Sequence, residues 1–472
     1  MSLFYLLVGL LAIYPAFGAM QMPPPNPLVG NWEGQIALPN NQKLTIILHI
    51  SADNTQQLVA KMDVPQQAAY GVSASRVALQ GTNVEIDFDV IQAHFTGTLS
   101  SDNKQIVGHW QQSGADLPLT LNKTDKPTSI TPKRPQEPKP PYPYEVHNVS
   151  IPNPNAPSVI LAGTLTLPKG NGPFPAALLI AGSGPHDRDE DVFGHKIFLV
   201  LADYLTRHHI AVLRYDKRGV GQSTGNFKTA TLQDFASDAL AAVKFLMHQP
   251  GIDPKQVGLI GHSEGGIVAP LVASQMPNIA YVVLLAGPGI KGADLLALQE
   301  ERIAQVQGVP SAEIHKMLEI NRQLYQIVLE EKDPQKAQTL MQNVLHKAQP
   351  KMQQQAMDQI IASLNTPWMR SFLAYDPAKA LRQVHCPVLA VGGDKDLQVP
   401  AKEDLPLIQK ALRQGGNRQV TTKVFPGLNH LFQPCQTGSP LEYAEIETTF
   451  DPKVLAYISH WIQQQLGLRS SP

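Results

Sequence analysis

Three side-chain types that together perform nucleophilic catalysis occur in this chain in the order serine, aspartate, histidine. Ser263 is the centre of a G-x-S-x-G match at residues 261–265, between a short apolar segment of strand type and a longer one of helix type. Strand, sharp turn and helix together would expose a serine at the end of a sheet and aim a helix N-terminus at its oxygen. A serine of ordinary pKa is a poor nucleophile, so this one needs a base within hydrogen-bond reach.

Partners for such a serine follow two later predicted strands. Asp394 and Asp396 lie in residues 392–400, and His430 ends the segment 426–430. In a parallel sheet the carboxyl ends of the strands share one edge, so these side chains can converge with Ser263. We expect His430 to take the serine proton and deliver it to the leaving group, with one of the two aspartates orienting the imidazole.

The elements that must position these residues are read from the hydrophobic pattern after residue 144. A continuous apolar run at residues 174–181 is typical of a strand buried on both faces. Strands that alternate with helices indicate a doubly wound, mostly parallel sheet. The further strands are predicted at 145–151, 159–167, 208–214, 256–260, 281–285, 388–391 and 420–425, with a helix at 231–248.

The alternation stops between residues 289 and 367, where the chain is rich in Gln, Met and Leu. This stretch predicts several helices, two of them at residues 295–306 and 312–331. An insertion between two sheet strands should lie over their ends, so we expect a lid. The alternative is a helical bundle that lies away from the site.

The motifs now support a resemblance. Residues 144–468 resemble the α/β-hydrolase superfamily, and within it the bacterial serine esterases and the related serine aminopeptidase group. The likeness rests on the turn at residues 261–265 that carries Ser263, called the elbow below, on residues 182–189 and 214–223, and on the Gly-x-x-Asp-x-x-Val-Pro pattern around Asp396. A β-rich domain ending in residues 108–112 also recurs in that esterase group. One departure is Ala181, where many relatives have histidine.

The resemblance implies an α/β-hydrolase fold and assigns site residues. The family spacing puts the acid three residues before Val399, which selects Asp396 over Asp394. An oxyanion hole needs two fixed donors; we expect the backbone N–H groups of Glu264, after the nucleophile, and of Ser183, in the loop after the first buried strand. Arg188 in that loop should form a loop-fixing salt bridge, with substrate binding as the alternative.

The N-terminal part of the chain is predicted to be a separate all-β domain. Residues 19–124 alternate in strand fashion between turn clusters, which indicates about seven or eight antiparallel strands in a small barrel or sandwich. Trp32 and Trp110 are interpreted as core residues. Residues 125–144 are rich in proline and predict an extended, semi-rigid linker. The catalytic domain is then expected at residues 145–468.

Composition limits the remaining possibilities. The chain has 472 residues and a formal net charge of -1, so nothing favours nucleic acid or an anionic membrane surface as a partner. An apolar run followed by small residues at 16 and 18 predicts a signal peptide at residues 1–18, hence a periplasmic or secreted protein. No membrane span is expected in the mature chain. Cys386 and Cys435 are expected to be free thiols, and oligomeric state stays open.

These observations predict an exported serine hydrolase that cleaves small carboxylic esters through an acyl-enzyme on Ser263. No cofactor-binding or metal-ligating residues are expected. The alternative is an aminopeptidase-type serine hydrolase acting on short peptides or amides. That alternative requires carboxylates in the lid to hold the substrate's amino terminus, and Glu300 and Glu301 are the candidates.

Overall fold

The computed structural model describes residues 26–468, except 38–42, 54–56, 68, 113–114, 128–132 and 351. The predicted signal peptide, residues 1–18, lies outside the described residues. The described chain forms one antiparallel sheet near its N-terminus and one mostly parallel sheet after it. Among the described helices, none combines the length and apolar character that a membrane crossing requires.

The first sheet is formed by nine described strands in the order β4-β3-β2-β1-β9-β8-β7-β6-β5, all paired antiparallel. The strands are β1 (Gly30–Ala37), β2 (Lys43–Ala52), β3 (Leu58–Val64), β4 (Ala69–Ser73), β5 (Arg76–Gln80), β6 (Asn83–Phe88), β7 (Ala93–Leu99), β8 (Gln105–Gln112) and β9 (Ala115–Thr124). Residues of β3 approach β5, near the opposite end of the sheet, so the sheet curls into a half-barrel. Two short 3₁₀ helices interrupt it, Pro65–Gln67 and Asp89–Ile91.

The all-β prediction is confirmed, but the sheet has nine strands where seven or eight were predicted. The two shortest strands, β4 and β5, contain no buried residue and therefore lack the apolar alternation on which the prediction depended. Trp32 and Trp110 lie in the core of the half-barrel, as expected. The Trp32 indole N–H donates to the Leu28 carbonyl at 2.7 Å, which satisfies its one polar group.

The proline-rich segment is attached to the region that follows it. The Arg134 guanidinium donates hydrogen bonds to the carbonyls of Phe193, Gly194, Ala444 and Ile446. The Gln136 side chain bonds both the N–H and the carbonyl of Phe450. The segment was predicted to be an extended linker, and these bonds show that its second half also packs against the catalytic region.

The second sheet contains eight described strands in the order β10-β11-β15-β12-β16-β17-β18-β19. The strands are β10 (Glu145–Pro152), β11 (Ile160–Leu167), β12 (Phe174–Ile180), β15 (Ala211–Tyr215), β16 (Ile252–His262), β17 (Val282–Leu285), β18 (Val388–Gly393) and β19 (Val420–Phe425), with a separate small hairpin of β13 (Asp191–Val192) and β14 (His195–Lys196). The β10–β11 and β11–β15 pairs are antiparallel, so β11 runs opposite to the other seven strands, and all pairs from β15 to β19 are parallel. The doubly wound α/β prediction is confirmed.

Helices cover both faces of this sheet, which explains the continuous apolar runs of its central strands. The helices are α1 (Ile197–Arg207), α2 (Leu232–Met247), α3 (Gly265–Ala273), α4 (Gly292–Val306), α5 (Ser311–Glu330), α6 (Pro334–Ala348), α7 (Gln354–Leu364), α8 (Pro367–Leu373), α9 (Pro377–Leu381), α10 (Ala401–Gln414) and α11 (Pro452–Gln465), and a 3₁₀ helix spans Pro440–Glu445. Helices α2, α3 and α10 pack on one face, and α1 and α11 pack on the other.

Helices α4 to α9 form the insertion between β17 and β18. The sequence predicted an insertion at residues 289–367, and in the structure helices run from Gly292 at the start of α4 to Leu381 at the end of α9. The apolar core of the insertion also includes Ile267 from α3 and Val399 from the loop after β18. The insertion therefore packs against the two segments that carry Ser263 and Asp396.

The two cysteines are free, as predicted. Cys386 precedes β18 and Cys435 follows β19. Burial raises the pKa of the Cys386 thiol to about 12 and that of Cys435 to about 11. Both thiols are therefore protonated and weakly nucleophilic at neutral pH.

Candidate active site

Ser263 occupies a sharp turn between β16 and α3. Its backbone has a φ of 52°, in the left-handed region that side chains other than glycine rarely adopt. A Cβ on Gly261 would lie 2.0 Å from the Gly265 carbonyl oxygen, and a Cβ on Gly265 would lie 1.9 Å from the Ile180 oxygen. The turn therefore requires glycine on both sides of the serine, as the G-x-S-x-G pattern predicts.

His430 and Asp396 form a buried pair at the same edge of the sheet. The His430 Nδ1 lies 2.8 Å from Asp396 Oδ2. The other carboxylate oxygen, Oδ1, accepts the backbone N–H groups of Gln398 at 2.8 Å and Val399 at 2.9 Å. Because the aspartate accepts a hydrogen bond from Nδ1–H, the Nε2 atom of the neutral imidazole is left as an acceptor.

Asp394 has a different environment. It is exposed, and its Oδ1 accepts the backbone N–H of Gly427 at 2.6 Å, in the loop that leads to His430. The structure thus brings Asp396 to the imidazole and places Asp394 on the outside of the loop. The choice of Asp396 as the catalytic acid stays a prediction.

His262, the residue before Ser263, contacts His430. The rings of His262 and His430 have centroids 4.9 Å apart, and His262 Nε2 lies 3.1 Å from the His430 carbonyl. Within the described residues no hydrogen bond joins the Ser263 hydroxyl to the His430 ring. Such bonds are often long before a substrate is bound and tighten in the complex.

Glu190 is a buried residue of this site that the sequence analysis missed. Its Oε1 accepts the Gly182 N–H at 2.6 Å and lies 2.8 Å from His262 Nδ1. Burial lowers the pKa of His262, but the Glu190 carboxylate more than offsets this and the pKa is raised overall. Since both ring nitrogens have acceptors, His262 is not placed to take the serine proton. Glu190 directly follows the quoted motif at residues 182–189, which was the available signal.

The two backbone N–H groups expected to bind an oxyanion lie at the ends of adjacent strands. Ser183 follows β12, and Glu264 begins the turn into α3. Across the described residues, neither N–H has a hydrogen-bond acceptor. Gly182 differs, because Glu190 already accepts its N–H. Ser183 and Glu264 therefore have donors available for a ligand.

The side chain of Glu264 is also buried and paired. Its Oε1 accepts from Lys217 Nζ at 2.7 Å, and Oε2 accepts from the Trp368 indole N–H. Trp368 lies in α8, at the exit of the insertion, and stacks on Phe372 with ring centroids 5.3 Å apart. The sequence predicts no role for the Glu264 carboxylate, and no motif identifies Lys217 or Trp368 as its partners.

Ion pairs join the loop after β12 to the segment after β15. The Arg188 guanidinium donates to Asp216 at 2.8 Å, and the Arg188 backbone N–H also bonds Asp216 Oδ1 at 2.8 Å. Hydrogen bonding to Asp216 raises the pKa of Arg188. The predicted loop-fixing salt bridge of Arg188 is confirmed. Arg214, within β15 itself, forms a second pair with Asp189 of the same loop.

Two carboxylates of the insertion were considered for binding the amino terminus of a peptide substrate, and both already accept hydrogen bonds within the protein. Glu300 accepts hydrogen bonds from Asn321 and Tyr325 inside the insertion. Glu301 accepts from Gln305 at 3.1 Å on the surface of α4.

Over the described ranges, no group of three or more His, Cys, Asp or Glu side chains is arranged to hold a metal ion.

Comparisons with known proteins agree with this architecture. Residues 195–433 match the family described as serine aminopeptidase, S33. Esterase EstD of Thermotoga maritima is 30% identical over 303 residues, which cover 64% of this chain and 65% of the relative. The matched part thus spans slightly less than two thirds of that relative's length.

Solved structures include similar chains at low sequence identity. The α/β hydrolase GrgF from Penicillium sp. sh18 has a TM-score of 0.45 and 15% identity, covering 69% of this chain and 100% of that one. An esterase of Pyrococcus furiosus has a TM-score of 0.43 and 15% identity, covering 69% of this chain and 92% of its own.

Proposed function

The chain belongs to the serine aminopeptidase S33 family of α/β hydrolases, and from this premise we propose that it is a serine hydrolase of small carboxylic esters. Ser263 is the proposed nucleophile, His430 the general base and acid, and Asp396 the residue that orients the imidazole. The esterase name of the Thermotoga maritima relative supports ester cleavage as the reaction class.

One observation carries the proposal. The His430–Asp396 pair, with its 2.8 Å contact, lies at the sheet edge where Ser263 is held at a φ of 52°. Strain of this kind is retained where the surrounding structure over-determines it, typically at functional sites. A serine held in this way beside an oriented imidazole is the arrangement that acyl transfer needs.

The proposed reaction follows from these positions. The Ser263 oxygen attacks the ester carbonyl carbon while His430 Nε2 takes the hydroxyl proton. The tetrahedral oxyanion binds the N–H groups of Ser183 and Glu264. Collapse breaks the bond to the alcohol oxygen, which leaves with the proton from His430. Water then repeats both steps on the acyl-enzyme, releasing the acid and restoring Ser263.

An ester substrate is preferred to a peptide for a reason found in the insertion. Its apolar core includes Ile267, four residues after the proposed nucleophile, and Val399, three residues after the proposed acid. Apolar lining near the reacting atoms suits an acyl chain. Glu300, one of the two carboxylates that could hold a substrate's amino group, is occupied by Tyr325 and Asn321.

Export is a further part of the proposal. Residues 1–18 have the apolar run and small-residue site of a signal peptide. The test is N-terminal sequencing of the protein recovered from the bacterial periplasm after expression of the full chain. A mature chain beginning at Ala19 supports export with cleavage; a chain that retains residues 1–18 in the cytoplasm contradicts it.

The decisive experiment compares p-nitrophenyl esters with aminoacyl p-nitroanilides in the wild type and in Ser263→Ala. Loss of the nucleophile should reduce ester turnover by more than about 10³-fold and abolish labelling by a fluorophosphonate. Ser274→Ala, at the end of the same helix α3, is the matched control and should keep wild-type turnover. Near-native turnover of Ser263→Ala would refute the nucleophile, and a preference for the anilides would favour the aminopeptidase-type alternative.

A further inference from the structure

We propose that Lys217 is a positioning residue of the oxyanion site, because its buried ammonium group joins the two segments that supply the oxyanion donors. The inference rests on the proposed function and adds a residue to it. Lys217 lies after β15, in a segment that carries neither the nucleophile nor its proton-transfer partners.

The contacts of the ammonium group are specific. Lys217 Nζ donates to the Gly182 carbonyl at 2.9 Å and to Glu264 Oε1 at 2.7 Å. The side chain is only 5% exposed. Its charge also lies 4.0 Å from the centroid of the Phe235 ring, within the range of a cation–π contact. The lysine therefore has a single well-defined position.

The first contact controls the direction of the Ser183 N–H. The Gly182 carbonyl and the Ser183 N–H belong to the same planar trans peptide unit, so they point in opposite directions. A donor that holds the carbonyl on one side aims the N–H to the other side. Glu190 holds the preceding N–H of Gly182. The two peptide units that flank Gly182 are thus each held by a buried charged group, Glu190 at the N–H and Lys217 at the carbonyl.

The second contact acts on the other donor. Glu264 supplies its backbone N–H to the oxyanion, and its carboxylate is held by Lys217 and Trp368. One ammonium group therefore fixes the separation between the loop after β12 and the turn after β16. Preorganised donors of this kind cost no reorganisation when charge develops on the substrate oxygen.

Stability alone does not account for the pair. Replacing buried ion pairs by apolar side chains of similar volume is often neutral or stabilising, so an interior Lys–Glu pair is weak evidence for a purely stabilising role. A role in positioning makes a different prediction: its loss should weaken binding of the transition state more than binding of the substrate.

The test uses Lys217→Met in the full chain, with Arg218→Met as the matched control. Arg218 is the adjacent residue and is also buried, but it pairs with Asp234 and Asp238 on α2. In the part of the chain that the structure describes, it makes no hydrogen bond or ion pair with residues 182–190 or 264. For each variant, kcat and KM are measured on a short p-nitrophenyl ester. The inhibition constant of a trifluoromethyl ketone, which forms an oxyanion on the serine, is measured in parallel.

Lys217→Met should reduce kcat by about 10–100-fold and weaken the ketone similarly, with KM changed by less than about threefold, since one misaligned donor is worth up to about 10²–10³ in kcat. Arg218→Met should lower the melting temperature while kcat and ketone affinity stay within about threefold of wild type. Wild-type kcat and ketone affinity in Lys217→Met, or equal losses in both variants, would overturn the inference.

A second variant covers the case in which Lys217→Met does not fold. Lys217→Gln keeps an N–H donor of shorter reach, and it should show a smaller loss in the same two quantities. Unchanged values in Lys217→Gln would also overturn the inference. Fluorophosphonate labelling of the wild type, and its loss in Ser263→Ala, test the nucleophile independently of Lys217. A failure of the proposed function can therefore be distinguished from a failure of the Lys217 role.

Discussion

The indole N–H of Trp368 donates a hydrogen bond to the carboxylate of Glu264, the residue after the proposed nucleophile. Trp368 belongs to α8, the second-to-last helix of the insertion, and the apolar core of the insertion also includes Ile267 of α3. The insertion is therefore joined to the elbow by a polar contact and by apolar packing. A lid over the acyl group of the substrate is the role that we propose for it.

We expect Trp368→Ala to change the acyl-length preference of the enzyme while acylation of Ser263 survives. Removing the indole opens space beside the elbow, and differences of one methylene in an apolar pocket are worth about tenfold or more in kcat/KM. The measurement is kcat/KM across p-nitrophenyl esters from acetate to decanoate. Trp461→Ala is the control, because Trp461 lies in α11 and bonds Thr421 away from the lid. Matching length profiles in both variants would indicate that the insertion is peripheral.

Asp396→Asn should cost far more activity than Asp394→Asn. Of the two aspartates, only Asp396 contacts the His430 ring. An amide at position 396 favours the wrong tautomer of the imidazole, and the same change lowers kcat by about 10⁴ in a comparable triad. Asn at position 394 can still accept the Gly427 N–H, so its kcat should stay within a few-fold of wild type. Steady-state kinetics of the two variants decide the matter, and the opposite ranking would reassign the acid.

We expect Asp404 to make the stability of the protein depend on pH, because it is buried where the chain enters the helical insertion. Its Oδ1 accepts the N–H groups of Gly289 at 2.6 Å and Ile290 at 2.9 Å, while Oδ2 has no partner among the described residues. Burial raises its pKa to about 7; the two N–H groups offset this in part, and the charges of Asp396 and Glu403 add to the rise.

The direction of the pH dependence follows from comparing the pKa of Asp404 in the folded and unfolded protein. The unfolded aspartate titrates near pH 4. Between about pH 4 and 7 the folded protein keeps a proton that the unfolded chain releases, so the contribution of Asp404 to stability falls as the pH rises through this window. Asp404→Asn should therefore melt several degrees above wild type at pH 8.5 and close to it near pH 4. Glu319→Gln, which removes an exposed carboxylate of α5, is the control and should retain the wild-type slope. The same slope in Asp404→Asn would refute the assignment.

The catalytic activity should belong to the segment after the half-barrel sheet. We expect a protein that starts at residue 133 to keep both its activity and its melting temperature. A protein that starts at residue 142 should keep the activity but melt at a lower temperature, because it lacks the bonds of Arg134 and Gln136 to the catalytic region. Thermal melts and fluorophosphonate labelling test both. A folded truncated protein that cannot be labelled would contradict the domain assignment.

Sequence alone determined the elements whose information is local. The elbow could be recognised because a strained serine requires glycine at 261 and 265, and those constraints lie within five residues. Strands buried on both faces could be recognised from continuous apolar runs. The order of Ser263, Asp396 and His430 along the chain then placed all three after parallel strands, which meet at one edge.

Tertiary structure alone decided the contacts that bring distant parts of the chain together. Lys217 lies 35 residues from Gly182, Trp368 lies 104 residues from Glu264, and Arg134 lies 312 residues from Ile446. No periodicity or motif encodes such pairs, because each depends on how two separate elements pack. A lysine, a tryptophan or an arginine in the sequence is compatible with solvent exposure as well. Only burial beside a specific carbonyl or carboxylate gives these side chains their roles.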